Sequence, residues 1–360
     1  MNPAVQLHEI GQSLWLDNIT RGLLASGTFA HYIATLSVTG LTSNPTIFDK
    51  ALSGSADYDE QILQLLAQGI EPEPLFFELA IEDLSKAAGL LRPIWDATEG
   101  VDGWVSLEVS PKLAHDTATT IDMAKALHNQ AATPNLFIKI PGTPEGIPAI
   151  EEAIFAGVPV NVTLLFSREH YLAAAAAYLR GLERRKEEGL DLNVGSVASL
   201  FVSRWDGAVM DQVTDDMRGQ LGVGIAKRTY AAYQSVLASD RWKALAAAGA
   251  NPQRLLWAST GTKDPALPDT FYIKALAAPQ TVNSMPEGTL KAFGDHGTVG
   301  DLLPLDGGDA AELLALFMAD GVDLDALAAK LQADGAASFV ASWDELISTI
   351  ESKSSDLAKA

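Results

Sequence analysis

Cysteine is missing from all 360 positions, which removes disulfides, thiolate metal sites and thiol nucleophiles together. Long apolar runs are missing too: no stretch of 18 or more apolar residues occurs, so no membrane span is expected. Met1 to Gln6 lack a basic segment leading into an apolar one. No signal peptide is expected, and a cytoplasmic location is the corresponding expectation. Positive charge is scarce, with 25 Lys and Arg against 46 Asp and Glu and a net charge of −21. That balance argues against nucleic acid or an anionic lipid surface as the main partner. The acids are spread through expected helices, as on a solvated surface. An anionic substrate would have to meet a local concentration of the few cations. Histidine is sparse as well. His8, His31, His115, His128, His170 and His296 show no ligand spacing, and no metal site is expected.

What is present is alternation. Short β-branched runs alternate with longer Ala- and Leu-rich segments, the pattern of βα units around a parallel sheet. Strands are expected at 14–17, 40–43, 104–109, 136–140, 160–165, 192–198, 255–259 and 281–283. Eight is the number of a (β/α)8 barrel, so an α/β TIM barrel of 1–360 as a single domain is the expected fold. A doubly wound open sheet would carry a glycine-rich turn after its first strand, whereas this chain continues Asn18-Ile19-Thr20-Arg21. Helices are expected at 57–66, 73–91, 117–130, 146–155 and 169–188. Residues 204–251 are long for one connection and should hold two or three additional helices, with Tyr230, Tyr233 and Trp242 as core anchors. From about 298 to 360 a C-terminal helical segment should pack on the barrel. Its helices, 310–319, 324–333 and 343–352, are separated by glycine-containing breaks, and the end from 352 should fray.

One lysine is chemically odd. Lys139 interrupts the apolar run Leu136-Phe137-Ile138-Lys139-Ile140-Pro141. Buried unpaired, an ammonium costs several kcal/mol, and a neutral amine is what Schiff-base chemistry requires. The alternative is a strand-end lysine that runs its head out to water. In a barrel, chemistry sits where the strands end. Those ends read Asp17, Asn44, Glu108, Lys139, Asn161 with Thr163, Ser199 and Ser259. Each could cap a following helix, and Asn44 before Pro45 has the form of an N-cap. Polar ends on seven strands at one rim are harder to read as capping alone.

These residues sit in segments that together resemble a family. Thr39-Gly40-Leu41-Thr42-Ser43-Asn44-Pro45-Thr46, Val105-Ser106-Leu107-Glu108-Val109 and Phe137-Ile138-Lys139-Ile140-Pro141 come first. Asn161-Val162-Thr163-Leu164-Leu165-Phe166-Ser167 and Ser199-Leu200-Phe201-Val202-Ser203-Arg204 follow in order. The chain resembles the transaldolases over nearly its whole length. Trp257-Ala258-Ser259-Thr260-Gly261-Thr262-Lys263 is similar to the larger bacterial (type 2) subfamily. The resemblance implies a class I aldolase-like barrel and a transfer that needs neither metal nor cofactor. A dihydroxyacetone unit would pass from sedoheptulose 7-phosphate to glyceraldehyde 3-phosphate in the pentose shunt, giving erythrose 4-phosphate and fructose 6-phosphate. Lys139 would form the Schiff base, and Asp17 would take the proton from the donor's C4 hydroxyl. Glu108 and Thr163 would share a proton-carrying water. Asn44, Asn161 and Ser199 would hold donor hydroxyls. Arg204 would clamp the phosphate, with Ser259 touching it. The shorter family form has an arginine two residues beyond that serine, where this chain has Gly261. Lys263 is the nearest cation and the expected replacement; the alternative for it is a loop lysine in solvent.

Three rivals are set against this reading. A fructose-6-phosphate aldolase shares the lysine but releases free dihydroxyacetone; such enzymes are shorter and carry tyrosine at the position of Phe201. A metal-dependent barrel hydrolase would need clustered histidines. A binding scaffold would have lost the chemically competent residues. Whether the chain is a monomer or a homodimer is left open by the sequence.

Overall fold

The computed structural model describes residues 2–359, and in it eight parallel strands close into a barrel in sequence order. They are β1 (Gln12–Asp17), β2 (Val38–Thr42), β3 (Trp104–Glu108), β4 (Leu136–Pro141), β5 (Val160–Leu165), β6 (Ser196–Phe201), β7 (Arg254–Ala258) and β8 (Thr281–Met285). β8 closes on β1 with Gln12 opposite Thr281 and Leu16 opposite Met285. The expected (β/α)8 barrel is the observed fold. The additional helices after β6 are also present, as Ser203–Val209, Gln220–Ala238 and Asp240–Ala246. Tyr230, Tyr233 and Trp242 are buried among them.

Side chains alternate in and out along each strand, so inward positions recur every second residue. Trp15, Trp104, Phe137, Val197, Leu256 and Val282 form one inward layer, a plug across the barrel. Trp104 and Phe137 stack at 4.0 Å and 15° within it. Two residues further along the same strands stand Asp17, Ser106, Lys139, Ser199, Ala258 and Ser284. The apolar plug is therefore the floor of a polar layer at the strands' C-terminal ends. Beneath it Arg254 meets Asp102 at 3.6 Å, also buried. The plug fixes Gly40 on β2, because any Cβ there would overlap the Trp15 indole.

Three expectations are corrected. β6 runs over Ser196–Phe201, not 192–198. Leu192 and Val194 are buried, which gives the segment its strand-like composition, yet Val194 N bonds Leu192 O at 2.8 Å in a local turn. Gly195 then passes against the Trp104 ring, where no side chain fits. The C-terminal helix is continuous from Leu324 to Leu357, with no glycine break. Gly335 lies inside it at a close approach to the barrel rim, where a Cβ would stand 3.0 Å from Leu164 Cδ2. The end does not fray at 352 either: Lys353 donates to the carbonyls of Leu52 and Ser55 and pairs with Asp59 at 2.8 Å. This helix packs on Pro45–Ser53 and Pro72–Ala97, with Trp343 against Phe76 and Phe77. Among the described residues no helix is long and apolar enough to cross a membrane.

Gly40→Ala should destabilise the fold by about 1–3 kcal/mol through overpacking against Trp15. Urea unfolding checks it, and an unchanged midpoint would refute the role assigned to the plug.

Candidate active site

Lys139 enters the polar layer because Phe137, two residues earlier, is locked in the plug. Its Nζ lies 3.3 Å from Glu108 Oε2 and donates to the carbonyl of Ser43 at 3.0 Å. Strand register sets the first contact, since Glu108 on β3 stands opposite Lys139 on β4. Both residues are buried, at 6% and 5% exposure, so the lysine head does not run out to water. Glu108 Oε1 and Thr163 Oγ1 are buried and have no hydrogen-bond partner among the described residues. Such atoms are costly unless something joins them, and beside Lys139 these two are available to a ligand or a proton-carrying water.

Asp17 closes the layer from β1. Thr42 Oγ1 donates to Asp17 Oδ1 at 2.7 Å, and Thr42 and Ser284 hydroxyls meet at 2.6 Å. A hydroxyl has one proton to give, so Ser284 must donate to Thr42. Burial pushes the Asp17 carboxyl above its ordinary value, with Lys139 and Thr42 opposing. Glu108 is pushed up in the same way by burial, opposed by Lys139 and reinforced by Asp17. Two buried carboxyls with raised proton affinity suit general acid–base work near neutral pH.

All of the expected site residues except Glu108, which stands behind Lys139, line one cavity of about 240 Å³. Ser199 Oγ donates to Asn161 Oδ1 at 2.7 Å, and Asn161 Nδ2 donates to Ser106 Oγ at 3.1 Å. Asn44 does both things its sequence allowed. Its Oδ1 caps the helix Pro45–Ser53 through Ile47 N at 3.1 Å, while its side chain lines the cavity. Arg204 is alone among the arginines in making no hydrogen bond or ion pair among the described residues. Its guanidinium lies 5.2 Å from the Phe201 ring and 5.9 Å from Phe339, and burial lowers its pKa. Ser259 follows β7 with a left-handed φ of 55° and its hydroxyl meets Ser203 at 2.9 Å. Lys263 is exposed at the mouth and has no ion-pair partner among the described residues. The cavity thus has a buried lysine and one carboxyl at its base, a second carboxyl behind the lysine, and two cations without ion-pair partners among the described residues at its rim.

The sequence reading missed Thr42, Ser106, Ser284 and Phe339. The first two stand inside the quoted segments, and Ser284 follows from inward parity with Val282 once β8 is extended by one residue. Phe339 had no local signal, because it comes from the helix that was read as broken. A larger groove, about 730 Å³, lies on the outer face along Arg168–Glu187 and Gln220–Ala238. Its Arg168 and Arg241 are already paired with Glu169 and Glu183. No group of three His, Asp or Glu side chains able to hold a metal occurs among the described residues.

Comparison with known proteins agrees with this geometry. The family described as Transaldolase/Fructose-6-phosphate aldolase matches residues 14–350. A protein named transaldolase from Saccharopolyspora erythraea is 47% identical over 351 residues, covering 96% of this chain and 95% of the relative. Another of that name from Thermobifida fusca is 46% identical over 358 residues, 97% of each chain. One from Frankia alni is 44% identical over 358 residues, 97% of this chain and 96% of its own. On the matched length and on these relatives, the chain belongs to the transaldolase/fructose-6-phosphate aldolase family.

Proposed function

We propose that this chain is a transaldolase that moves a dihydroxyacetone unit from sedoheptulose 7-phosphate to glyceraldehyde 3-phosphate by way of a Schiff base on Lys139, in the cytoplasmic pentose shunt. The observation that carries the reading is the buried contact of Lys139 with Glu108, with Lys139 lining one cavity together with Asp17 and Arg204. Full-length relatives named transaldolase support it.

The residues divide the work by position. Lys139 gives a proton to Glu108, 3.3 Å away and raised in proton affinity, and attacks the C2 carbonyl of the ketose. The carbinolamine loses its hydroxyl as water; Glu108 and Thr163, with their free buried oxygens, carry the protons this needs. The iminium then acts as electron sink. Asp17 takes the C4 hydroxyl proton, the C3–C4 bond breaks, and the aldehyde fragment departs. The enamine left on Lys139 attacks the incoming aldehyde, and Asp17 returns its proton to the new hydroxyl. One water then adds to the iminium carbon, Glu108 and Thr163 again carrying the protons, and the Lys139 amine leaves as fructose 6-phosphate is freed. Asn44, Asn161 and Ser199 hold the donor hydroxyls, while Arg204, Ser259 and Lys263 take the phosphate. Simple release of dihydroxyacetone is less favoured. Phe201 packs on Phe166 at 5.3 Å and has no hydroxyl with which to activate water.

Borohydride reduction in the presence of fructose 6-phosphate should attach a three-carbon adduct to Lys139, read by peptide mass spectrometry. Lys139→Ala should lose both adduct and transfer with the fold retained; an adduct on another lysine would end the mechanism. Lys263→Ala should raise KM for the phosphorylated donor roughly tenfold, the size of one lost charge-assisted hydrogen bond, at nearly constant kcat. Unchanged KM would remove Lys263 from the phosphate site.

Asp17 also makes a signed prediction on stability. Its ordinary value is 3.8 and its folded value is higher, so above pH 3.8 the folded chain holds the proton more tightly than the unfolded chain. Stability therefore falls as pH rises through the folded value, and the full cost of the buried charge is carried above it. Asp17→Asn keeps an acceptor for Thr42 and removes that cost. The variant should be inactive, yet unfold at higher urea than the parent at pH 8, with the difference shrinking toward pH 4. An equal difference at both pH values would contradict the sign.

A further inference from the structure

We propose that Phe339, carried by the C-terminal helix, decides whether the three-carbon fragment on Lys139 is handed to an aldehyde or lost to water. The inference rests on the Schiff-base reading above. Gln332, Gly335 and Phe339 share one face of the helix Leu324–Leu357, and that face crosses the mouth of the barrel. Gln332 Nε2 donates to the carbonyls of Gly142 at 3.1 Å and Leu164 at 2.9 Å. Those carbonyls belong to the chain just after β4 and near the end of β5, the strands that carry Lys139 and Thr163. Leu164 adopts a left-handed φ of 59°, an unfavourable conformation for a leucine that the surrounding contacts must hold in place.

Gly335 lets the helix come down this far. A Cβ there would stand 3.0 Å from Leu164 Cδ2 and 3.1 Å from Arg204 Nη1. One turn later the Phe339 ring is buried, with its centroid 5.9 Å from Lys139 Nζ, 5.9 Å from Arg204 Cζ and 6.4 Å from the Phe201 ring. Beyond it, Trp343 wedges against Phe76 at 5.1 Å and Phe77 at 5.7 Å. The ring is therefore held from both sides, by Gln332 before it and by the aromatic cluster after it.

Chemistry gives that position meaning. After the C3–C4 bond breaks, the enamine on Lys139 has two exits. In transfer, its nucleophilic carbon bonds to the acceptor carbonyl carbon. In release, that carbon takes a proton instead. In both exits one water then adds to the resulting iminium carbon and the Lys139 amine leaves, freeing the new ketose phosphate or dihydroxyacetone. Only release needs a proton donor, such as water, at the enamine carbon beside that nitrogen. The Phe339 ring lines the cavity beside Lys139 and offers no hydrogen bond to such a water. Phe339 thus opposes protonation of the fragment, the step that transfer omits, and leaves the hydrolysis common to both exits to Glu108 and Thr163.

The test uses the full chain, with fructose 6-phosphate as donor and erythrose 4-phosphate as acceptor for transfer, and the same donor alone for release. Phe339→Ala should raise the ratio of release to transfer roughly tenfold, an amount small mutational changes in barrier readily produce. Phe339→Leu, which keeps apolar volume, should raise it less and carries the test where the alanine variant fails to fold. The borohydride adduct on Lys139 should persist in both. An adduct with an unchanged ratio, both rates falling together, would reduce Phe339 to a packing residue and overturn the proposal. Loss of the adduct in a folded variant would also overturn it, by placing Phe339 in the attack step. Absence of the adduct in the parent would instead overturn the Schiff-base reading, and this inference with it.

Discussion

Lys139 and Glu108 face each other across β4 and β3, 3.3 Å apart and buried, and the upper half of the barrel is arranged around that contact. Such a pair contributes little to stability on balance, because the desolvation of two charges offsets their attraction. Its value is chemical: a proton can pass between the two groups without solvent. Burial demands a floor, which the Trp15–Trp104–Phe137 plug supplies, and a roof, which the C-terminal helix supplies through Gln332 and Phe339. The floor in turn requires Gly40, and the roof makes its close approach at Gly335. Two glycines far apart in sequence thus serve the same lysine from opposite sides.

The barrel holds a second buried ion pair, and the comparison is instructive. Below the plug, Asp102 accepts from Trp15 Nε1 at 2.9 Å, from Gly103 N at 3.0 Å and from Ser13. Arg254 donates to the carbonyls of Val101 at 3.1 Å and Thr281 at 2.9 Å, and to Ser13. Every strong lone pair there is answered, as in a structural network. Above the plug, Glu108 Oε1 and Thr163 Oγ1 are left open. Ion pairing alone does not separate a strut from an active site. What separates them is which pair has a member lining a cavity, with unsatisfied groups beside it.

Much of this was legible in the sequence because the site is built on strands. Period-two alternation and strand ends put Asp17, Glu108, Lys139, Thr163 and Ser199 at one rim, and a barrel then brings them together regardless of their separation in the chain. The failures share a cause. The segment 192–195 is apolar for the sake of the core, so composition imitated a strand where Gly195 had to pass the Trp104 ring. Gly335 was read as a break by propensity, whereas tertiary packing keeps the helix intact and uses the missing side chain for close approach. Once that helix is cut on paper, Phe339 is lost from the site, since nothing local ties it to Lys139. Helix-borne site residues are set by packing angles, which one-dimensional patterns do not carry.

Charge supplies the last constraint. A chain of net charge −21 repels a sugar phosphate at long range, yet at physiological ionic strength that field decays over about 8 Å. Inside that distance local pairing decides, and here the chain treats one arginine differently from the rest. Ten arginines are tied to carboxylates, carbonyls or side-chain oxygens, which neutralises them or fixes them as struts. Among the described residues Arg204 alone of the arginines makes no hydrogen bond or ion pair; it lies against the faces of Phe201 and Phe339, which leave its hydrogen bonds unused, with Asp334 the carboxylate that acts on it from further off. An unpaired, half-buried guanidinium is costly in a folded protein until an anion completes it. In the proposed mechanism the same Phe339 that roofs the lysine also packs on that arginine, so the roof would tie phosphate capture to protection of the fragment on Lys139.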